Sequence, residues 1–160
     1  MKPIVIILVS GLTAIGIWQG RQTAIALPHS TPFDIAQSTD DLQGNWTLVG
    51  WGNPDNLTPP LADTEITAQF EGDRLTGSAG CNNYVTSYAA SNGTLALDPI
   101  ASTRRACPSP ISDQENQYLT ALSNIDAYAI EGDRLVLSYE SEELSGVLVF
   151  ERPVAIPGLW

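Results

Sequence analysis

The stretch FEGDRLTGSAGCNNY, residues 70–84, is the most informative part of this chain because its EGDRL motif returns in IEGDRLVLSY, residues 130–139. Glycine at the centre of the motif tolerates the positive φ of a tight turn, and alternating apolar residues flank it. The recurrence predicts two similar hairpin corners in one β domain. Only the first corner leads into the loop GSAGCNNY, residues 77–84, so we look there first for a function.

Further strands are predicted on both sides of the two corners, from the period of two that half-buried strands show. The dipeptide Asn92-Gly93 marks another hairpin, since both residues accept the left-handed geometry of a type I′ turn. Residues 52–60 are predicted as a turn-rich loop and residues 140–143 as the turn of the last hairpin. The predicted strands cover residues 45–49, 66–70, 74–76, 94–97, 100–104, 127–130, 134–139 and 144–150.

One helix is predicted between Pro108 and Asn124, where the apolar residues Ile111, Tyr118, Leu122 and Ile125 fall on one face. Its start is either a capping box at 112–115 or Ser109 with Pro110 as the first helical residue. Short strands with one helix inserted late predict a mainly β (α+β) fold, a single small antiparallel domain that is a curled sheet or barrel-like. A ferredoxin-like sandwich, the alternative, needs a second comparable helix.

The first 26 residues have the features of a secretory signal peptide. Lys2 precedes the apolar run Ile4–Trp18, and Ala24 and Ala26 are small residues at the positions that a signal peptidase reads. The run is shorter than the roughly 20 residues of a membrane-spanning helix. We therefore expect an exported protein, periplasmic or extracellular, with no stable membrane span after cleavage. A protein tethered to the membrane by an uncleaved signal is the alternative.

The remainder has the length of one domain. Residues 27–41 are polar, contain two prolines and have no usable period, which predicts a disordered lead-in. Residues 42–152 form the predicted domain, and residues 153–160 form a C-terminal tail. The PGLW ending of this tail is faintly similar to the LQGNW opening of the domain, so a remnant of a second domain copy is the alternative.

The chain is acidic, with 18 Asp and Glu residues against seven Lys and Arg, of which Lys2 and Arg21 lie in the predicted signal. This excess of negative charge repels phosphate backbones and anionic lipid surfaces, which argues against nucleic-acid binding. We interpret the acidity as a solubility feature of an exported domain. We expect a monomer without a cofactor.

Both cysteines, Cys81 and Cys107, lie in the predicted domain, and an even number in an exported chain favours a disulfide. Such a bond stabilises a fold by roughly 3 to 4 kcal/mol in the chain-entropy model. Two buried free thiols are the alternative, because a free cysteine packs like a small hydrophobic residue.

The sequence contains no recognisable catalytic or metal-binding constellation. A cysteine nucleophile needs a base, and the single histidine, His29, lies in the predicted lead-in. Two cysteines without a histidine in the domain cannot supply the ligands of a zinc site, and the acidic turn at 140–143 lacks the pattern of a calcium loop. A carboxylate pair for glycoside hydrolysis depends on the fold, so the sequence does not identify one. A non-enzymatic protein is expected.

The candidate binding loop consists of Asn82, Asn83 and Tyr84. The small residues before them let the backbone approach another group closely, and asparagine accepts left-handed conformations. A tight structural crossing fastened by Cys81 is the alternative interpretation. Aromatic residues predict a second candidate, a hydrophobic pocket in a barrel mouth, with core packing as its alternative. They are Trp46, Trp51, Trp160, Tyr84 and Tyr88.

Several segments together resemble the META domain family, also called HslJ-like. They are WTL at 46–48, AGCNNY at 79–84, TRRACP at 103–108, Gln114-Glu115 with Tyr118, and GDRLVL at 132–137. The resemblance implies a compact, mainly β domain with one helix, found in exported or envelope-attached bacterial proteins, some of them linked to stress. It implies no established catalytic activity and no agreed ligand.

Two positions depart from the family pattern. The family usually has Met where Arg105 stands and Gly where Thr86 stands, so we expect local differences in packing there. The function favoured by these observations is an exported, non-enzymatic META-domain protein in a binding or stress-related role, with an unidentified envelope or secreted partner. A secreted protease inhibitor on a small β scaffold is the alternative, and a carboxylate-dependent hydrolase is the third.

Overall fold

The computed structural model describes residues 39–142 and 144–153 and contains a closed antiparallel β-barrel with one long helix late in the chain. This confirms the mainly β prediction in its barrel form. The elements in chain order are α1 (Thr39–Leu42), β1 (Gly44–Asn53), β2 (Asn56–Thr58), β3 (Thr67–Glu71), β4 (Arg74–Ser78), β5 (Asn83–Ser91), β6 (Thr94–Leu97), β7 (Ala101–Ser102), α2 (Ile111–Ser123), β8 (Ile125–Glu131), β9 (Arg134–Glu140) and β10 (Ser145–Glu151).

Eight strands close the barrel in the order β1, β3, β4, β5, β6, β8, β9 and β10, and β10 pairs with β1. Closure leaves these eight strands without a free edge over their paired lengths. Two short strands lie outside the ring: β2 pairs with β1 as a hairpin, and β7 pairs with β5. The short strand β7 therefore has one partner in the described part of the chain.

A β-bulge in β1 changes which of its side chains face the barrel interior. Between Leu48 and Gly50 the register with β10 shifts by one residue, so Val49 is the extra residue. Beyond the bulge, Trp51 lies opposite the fully buried Leu148 and faces the same side. Strict alternation from Leu48 would have directed Trp51 away from the interior.

Both EGD corners are tight turns, as predicted. Gly72 and Gly132 each have a φ of +63°, and Asn92 and Gly93 at the third hairpin are also in the left-handed region. The first corner is fastened to the barrel by Gln43, whose Oε1 accepts a hydrogen bond from the Gly72 N–H at 3.0 Å. The two corners are therefore equivalent in backbone conformation.

The helix α2 turns its apolar face towards the core. Tyr118 and Leu122 on this face are fully buried. Neither predicted capping arrangement forms, because Pro110 precedes the helix without a side-chain cap, and Ser109 instead donates to the Asp113 carboxylate at 2.7 Å. In the described part of the chain no helix is long and apolar enough to cross a membrane.

The core fills the barrel interior with the inward-facing side chains of nearly every strand. Trp46 is one of its largest members; its indole N–H donates to the Leu42 carbonyl at 2.9 Å, and the Arg152 guanidinium lies 4.2 Å above its ring. The other large, fully buried side chains are Phe70, Phe150, Tyr118, Ile66, Leu42, Leu75, Leu95, Leu122, Leu135, Leu137 and Leu148.

The structure corrects several predicted boundaries. Residues 52–60 include the end of β1 and all of β2 rather than a loop, and the strand predicted at 100–104 is reduced to Ala101–Ser102. Residues 39–41 of the predicted lead-in belong to α1. The predicted signal peptide, the rest of the lead-in with His29, and residues 154–160 of the tail with Trp160 lie outside the described residues.

Candidate functional site

The loop between β4 and β5 is a tight crossing against the first turn of α2. Gly80 in this loop has a φ of +97°, and a Cβ added there would lie 3.1 Å from Nε2 of Gln114. Gln114 is buried; it accepts a hydrogen bond from the Leu61 N–H at 2.7 Å and donates one to Thr64 Oγ1 at 2.8 Å. The first turn of α2 thus also fastens the loop that precedes β3.

Asn82 is the centre of a buried hydrogen-bond network and is only 4 % exposed. Its Oδ1 accepts bonds from Thr103 Oγ1 at 2.8 Å and from the Arg105 N–H at 2.7 Å. Its Nδ2 donates to Glu115 Oε1 at 2.8 Å and to the Arg105 carbonyl at 3.3 Å. The Asn82 N–H donates to Glu115 Oε2 at 2.7 Å. Asn82 therefore joins β5, the segment before Cys107 and α2.

Cys81 and Cys107 form a disulfide whose Cα atoms are 6.4 Å apart. No free cysteine remains in the described residues, so the alternative of two buried thiols is wrong. The guanidinium of Arg105 folds back and donates to the Cys81 carbonyl. The other departure from the family pattern, Thr86, is buried and donates to the Asp98 carbonyl at 2.7 Å.

Tyr84 is part of the core. Its hydroxyl donates to the Thr67 carbonyl at 2.9 Å. The same Tyr84 oxygen accepts a hydrogen bond from the Tyr118 hydroxyl, which lies 2.9 Å away. Burial raises the pKa of both tyrosine hydroxyls well above the ordinary value. Both groups stay protonated at neutral pH, and their hydrogen bonds are used inside the domain.

Asn83 is exposed, unlike Asn82 and Tyr84. Its N–H donates to Thr103 Oγ1 at 3.2 Å, and the Thr103 N–H donates to the Asn83 carbonyl at 3.0 Å. Next to it lies a groove of about 650 Å³ that is rich in hydroxyl groups. Of the three predicted binding residues only Asn83 is open to a partner, so a binding role for the loop remains a prediction that depends on this groove.

Residues 101–106, which we call the ledge, form the most exposed feature next to the loop: all six side chains are exposed. At one end of the ledge β7 pairs with β5. Near the other end the Asn82 side chain accepts a hydrogen bond from the Arg105 N–H, and the disulfide at Cys107 directly follows the ledge. In the sequence, residues 103–108 are distinguished only by their family resemblance. Two successive arginines, separated from Cys107 by a single alanine in so acidic a chain, were the signal that could have identified the ledge.

A second cleft, of about 460 Å³, lies between the end of β1 and α2. Trp51 lines it together with uncharged side chains of the helix, including Asn116 and Gln117. Of the described members of the predicted aromatic pocket, only Trp51 lines this cleft, and binding there stays a prediction. The other described members belong to the core instead: Trp46, Tyr84 and Tyr88.

The described residues offer neither an imidazole nor a free thiol to this site. The described residues contain no histidine, and the disulfide occupies both thiols, so no Cys-His or Ser-His pair is present among them. Possible ligand atoms of Cys81, Cys107 and Glu115 lie within 4.8 Å of one another. Disulfide sulfurs are not thiolates, however, so this group does not have the donors of a metal site.

Comparison with known proteins leads to a family. None of the curated proteins matches the chain. A protein from Burkholderia xenovorans with an NMR structure is 28% identical, with a TM-score of 0.58 over 73% of this chain and 87% of that one. A DUF4847 family protein from Bacteroides vulgatus, 17% identical, shares the fold with a TM-score of 0.51 over 71% and 96% of the two chains. The META domain model matches residues 40–152, and the chain therefore belongs to the META domain family.

Proposed function

We propose that this protein is an exported, non-enzymatic binding protein of the cell envelope, and that the ledge and the groove beside Asn83 form its binding surface. Export is supported by the signal-like first 26 residues and by the disulfide between Cys81 and Cys107, a bond that is rare in reducing compartments. The absence of histidine and of free thiols from the described residues supports a role without covalent catalysis.

The single observation that carries the proposal is the combination of exposure and rigidity at the ledge. Six successive side chains are exposed, yet a strand, a buried amide and a disulfide hold the main chain. A segment that is already ordered loses little conformational entropy when a partner binds, so more of the contact energy appears as affinity. A flexible loop of the same sequence would bind more weakly.

Export has a direct test. The cell-envelope and external fractions should contain a protein whose intact mass corresponds to residues 27–160 with a closed disulfide. Alkylation should block two thiols only after reduction, since Cys81 and Cys107 are the two cysteines. Recovery of the full chain in the cytoplasm with two free thiols would contradict the export part of the proposal.

The binding surface is tested by site-specific photo-crosslinking in intact cells. A photoreactive residue in place of Ser102 on the ledge should give a covalent adduct with a partner. The matched control replaces Ser123, which is also an exposed serine but lies on α2. Adducts from position 102 and none from position 123 are the expected result. Absence of any adduct at position 102, or equal adducts at both positions, would refute the ledge as the binding surface.

A further inference from the structure

Resting on the proposed binding function, we infer that the partner of the ledge is a serine protease that cleaves after arginine, with the Arg104 side chain in its specificity pocket and the Arg104–Arg105 bond across its active site. The protein would then be an inhibitor. Three features of the ledge support this inference. Main-chain groups of alternate residues point away from β5, and the Arg104 side chain has no partner among the described residues. Contacts within the domain hold the chain on both sides of the Arg104–Arg105 bond.

The main chain of the ledge begins as β7, paired with β5, and hydrogen bonds continue this pairing as far as Arg105. The Thr103 N–H donates to the Asn83 carbonyl, and the next position of this ladder is completed by the Asn82 side-chain amide, which bonds both the N–H and the carbonyl of Arg105. An antiparallel ladder then directs the main-chain groups of Ser102 and Arg104 away from β5. The ledge therefore presents a free strand edge at alternate residues.

A protease uses such an edge to recognise its substrate. Extended peptides bind to many proteins as an additional strand, through main-chain hydrogen bonds from alternate residues, while pockets read the side chains between them. A strand held on one side by its own domain remains available on the other side. In the ledge the available residues are Ser102 and Arg104, so the residue with free main-chain groups also carries the long cationic side chain.

Arg104 is exposed and has no hydrogen bond or ion pair with any described residue. Its neighbours differ, since Thr103 donates to Asn82 and the Arg105 guanidinium donates to the Cys81 carbonyl. A serine protease of trypsin-like specificity reads arginine with a buried aspartate at the base of its pocket. In a chain with 18 acidic and seven basic residues, Arg104 is the group on the ledge that is complementary to that aspartate.

The fastening of the ledge distinguishes an inhibitor from a substrate. Hydrolysis of the Arg104–Arg105 bond adds one water and leaves a carboxylate on Arg104 and an ammonium on Arg105. The two new chains remain joined by the disulfide between Cys81 and Cys107, and Asn82 continues to hold Arg105. The leaving end therefore stays beside the acyl-enzyme, where it can re-form the bond, and release of the product is slow.

The test titrates the secreted, disulfide-closed protein against trypsin, with chymotrypsin as a second probe. Stoichiometric inhibition of trypsin is expected. Arg104→Ala should weaken it by about 30-fold or more, as for a central hot-spot residue. Arg74→Ala is the matched control, because Arg74 is exposed on β4 and also lacks a described partner. Arg104→Phe should transfer inhibition from trypsin to chymotrypsin, whose pocket is apolar.

Intact mass provides a second readout. Protein recovered from trypsin should contain a form one water heavier that separates into two chains, ending at Arg104 and beginning at Arg105, only after reduction. Rapid turnover at Arg104 without inhibition, or equal inhibition by Arg104→Ala and the native protein, would overturn the inference. A crosslinked partner at position 102 that is not a protease would also overturn it, while leaving the proposed binding function intact.

Discussion

At the scale of single residues, Asn82 fixes the conformation of the loop between β4 and β5. The amide side chain has the same donor and acceptor as a peptide group, and it bonds the N–H and carbonyl of Arg105 as a neighbouring strand would. Its other contacts go to Glu115, which is itself buried, and to Thr103. A buried polar network of this kind is stable only while every member has its partner.

Replacement of Asn82 should therefore be costly. Asn82→Ala removes the amide partner of Glu115 Oε1 and of the Arg105 N–H and carbonyl, while Glu115 Oε2 keeps the main-chain N–H of residue 82. We expect a loss of about 2–3 kcal/mol in the free energy of unfolding. Asn83→Ala is the matched control; Asn83 is exposed, so less than about 0.5 kcal/mol is expected. Urea denaturation monitored by tryptophan fluorescence measures both. Equal stability of the two variants would show that the network contributes nothing.

Asn82→Asp tests the electrostatics of the same position. Its carboxylate would face Glu115 at the distance of the present hydrogen bond, 2.8 Å, and two like charges raise the pKa of the pair in the folded state. A raised folded pKa contributes stability at low pH that is lost as the pH rises. The deficit of Asn82→Asp relative to the native protein should therefore shrink between about pH 7 and about pH 4. A deficit independent of pH would contradict this.

At the scale of elements, a glycine opposite a tyrosine makes room for the aromatic ring in two pairs of strands. Gly77 on β4 lies opposite Tyr84, and Gly146 on β10 lies opposite Tyr139. A Cβ at Gly77 would lie 2.7 Å from the Tyr84 hydroxyl, and one at Gly146 would lie 2.6 Å from the Tyr139 hydroxyl. Because glycine has no side chain, the neighbouring aromatic ring occupies the space that a side chain would otherwise fill.

Gly77→Ala should consequently destabilise the barrel by at least about 2 kcal/mol. The new Cβ would lie 2.0 Å from the Thr67 main-chain carbonyl, so β3 and β4 would have to separate. Thr76→Ala, one residue earlier on the same strand, is the control, and we expect less than about 1 kcal/mol there. Thermal denaturation followed by circular dichroism compares the two. A Gly77→Ala protein as stable as the control would exclude the steric argument.

Sequence patterns predict elements better than they predict the contacts between them. The EGD corners, the Asn92-Gly93 hairpin and the strand periods are local features, and all appear in the structure. The bulge at Val49 is not local, since it depends on the register between β1 and β10. For the same reason the partners of Asn82, which lie more than 20 residues away along the chain, could not be read from the sequence.

At the scale of the whole molecule, the disulfide connects Cys81, in the loop between β4 and β5, to Cys107, in the segment between β7 and α2. It closes a loop with a sequence separation of 26, which contains β5, β6 and β7. Reduction should lower the free energy of unfolding by roughly 3 to 4 kcal/mol, because the reduced unfolded chain gains conformational freedom. Urea denaturation with and without a reductant measures the loss. Cys81→Ala with Cys107→Ala should be as stable as the reduced protein, and full native stability in that variant would contradict the prediction.

The barrel as a whole should unfold at alkaline pH through its buried tyrosines. Burial raises the pKa of Tyr84 and Tyr118 in the folded state, whereas an unfolded tyrosine titrates at about 10. The resulting stability is fully present below about pH 10 and is lost as the pH rises further, since only the unfolded chain releases these protons. Tyrosinate absorbance and circular dichroism should change together in one cooperative step.

A double variant separates this cause from general charge repulsion. Tyr84→Phe with Tyr118→Phe removes both buried hydroxyls. Measured from its own value at neutral pH, the free energy of unfolding of this variant should therefore fall less above pH 10 than that of the native protein. That neutral stability should itself fall, because the Thr67 carbonyl loses the hydrogen bond that it accepts at 2.9 Å. When urea unfolds the chain of native sequence, all five tyrosines should titrate together near pH 10. Gradual titration of all five in the folded protein would refute the burial of Tyr84 and Tyr118 as the cause.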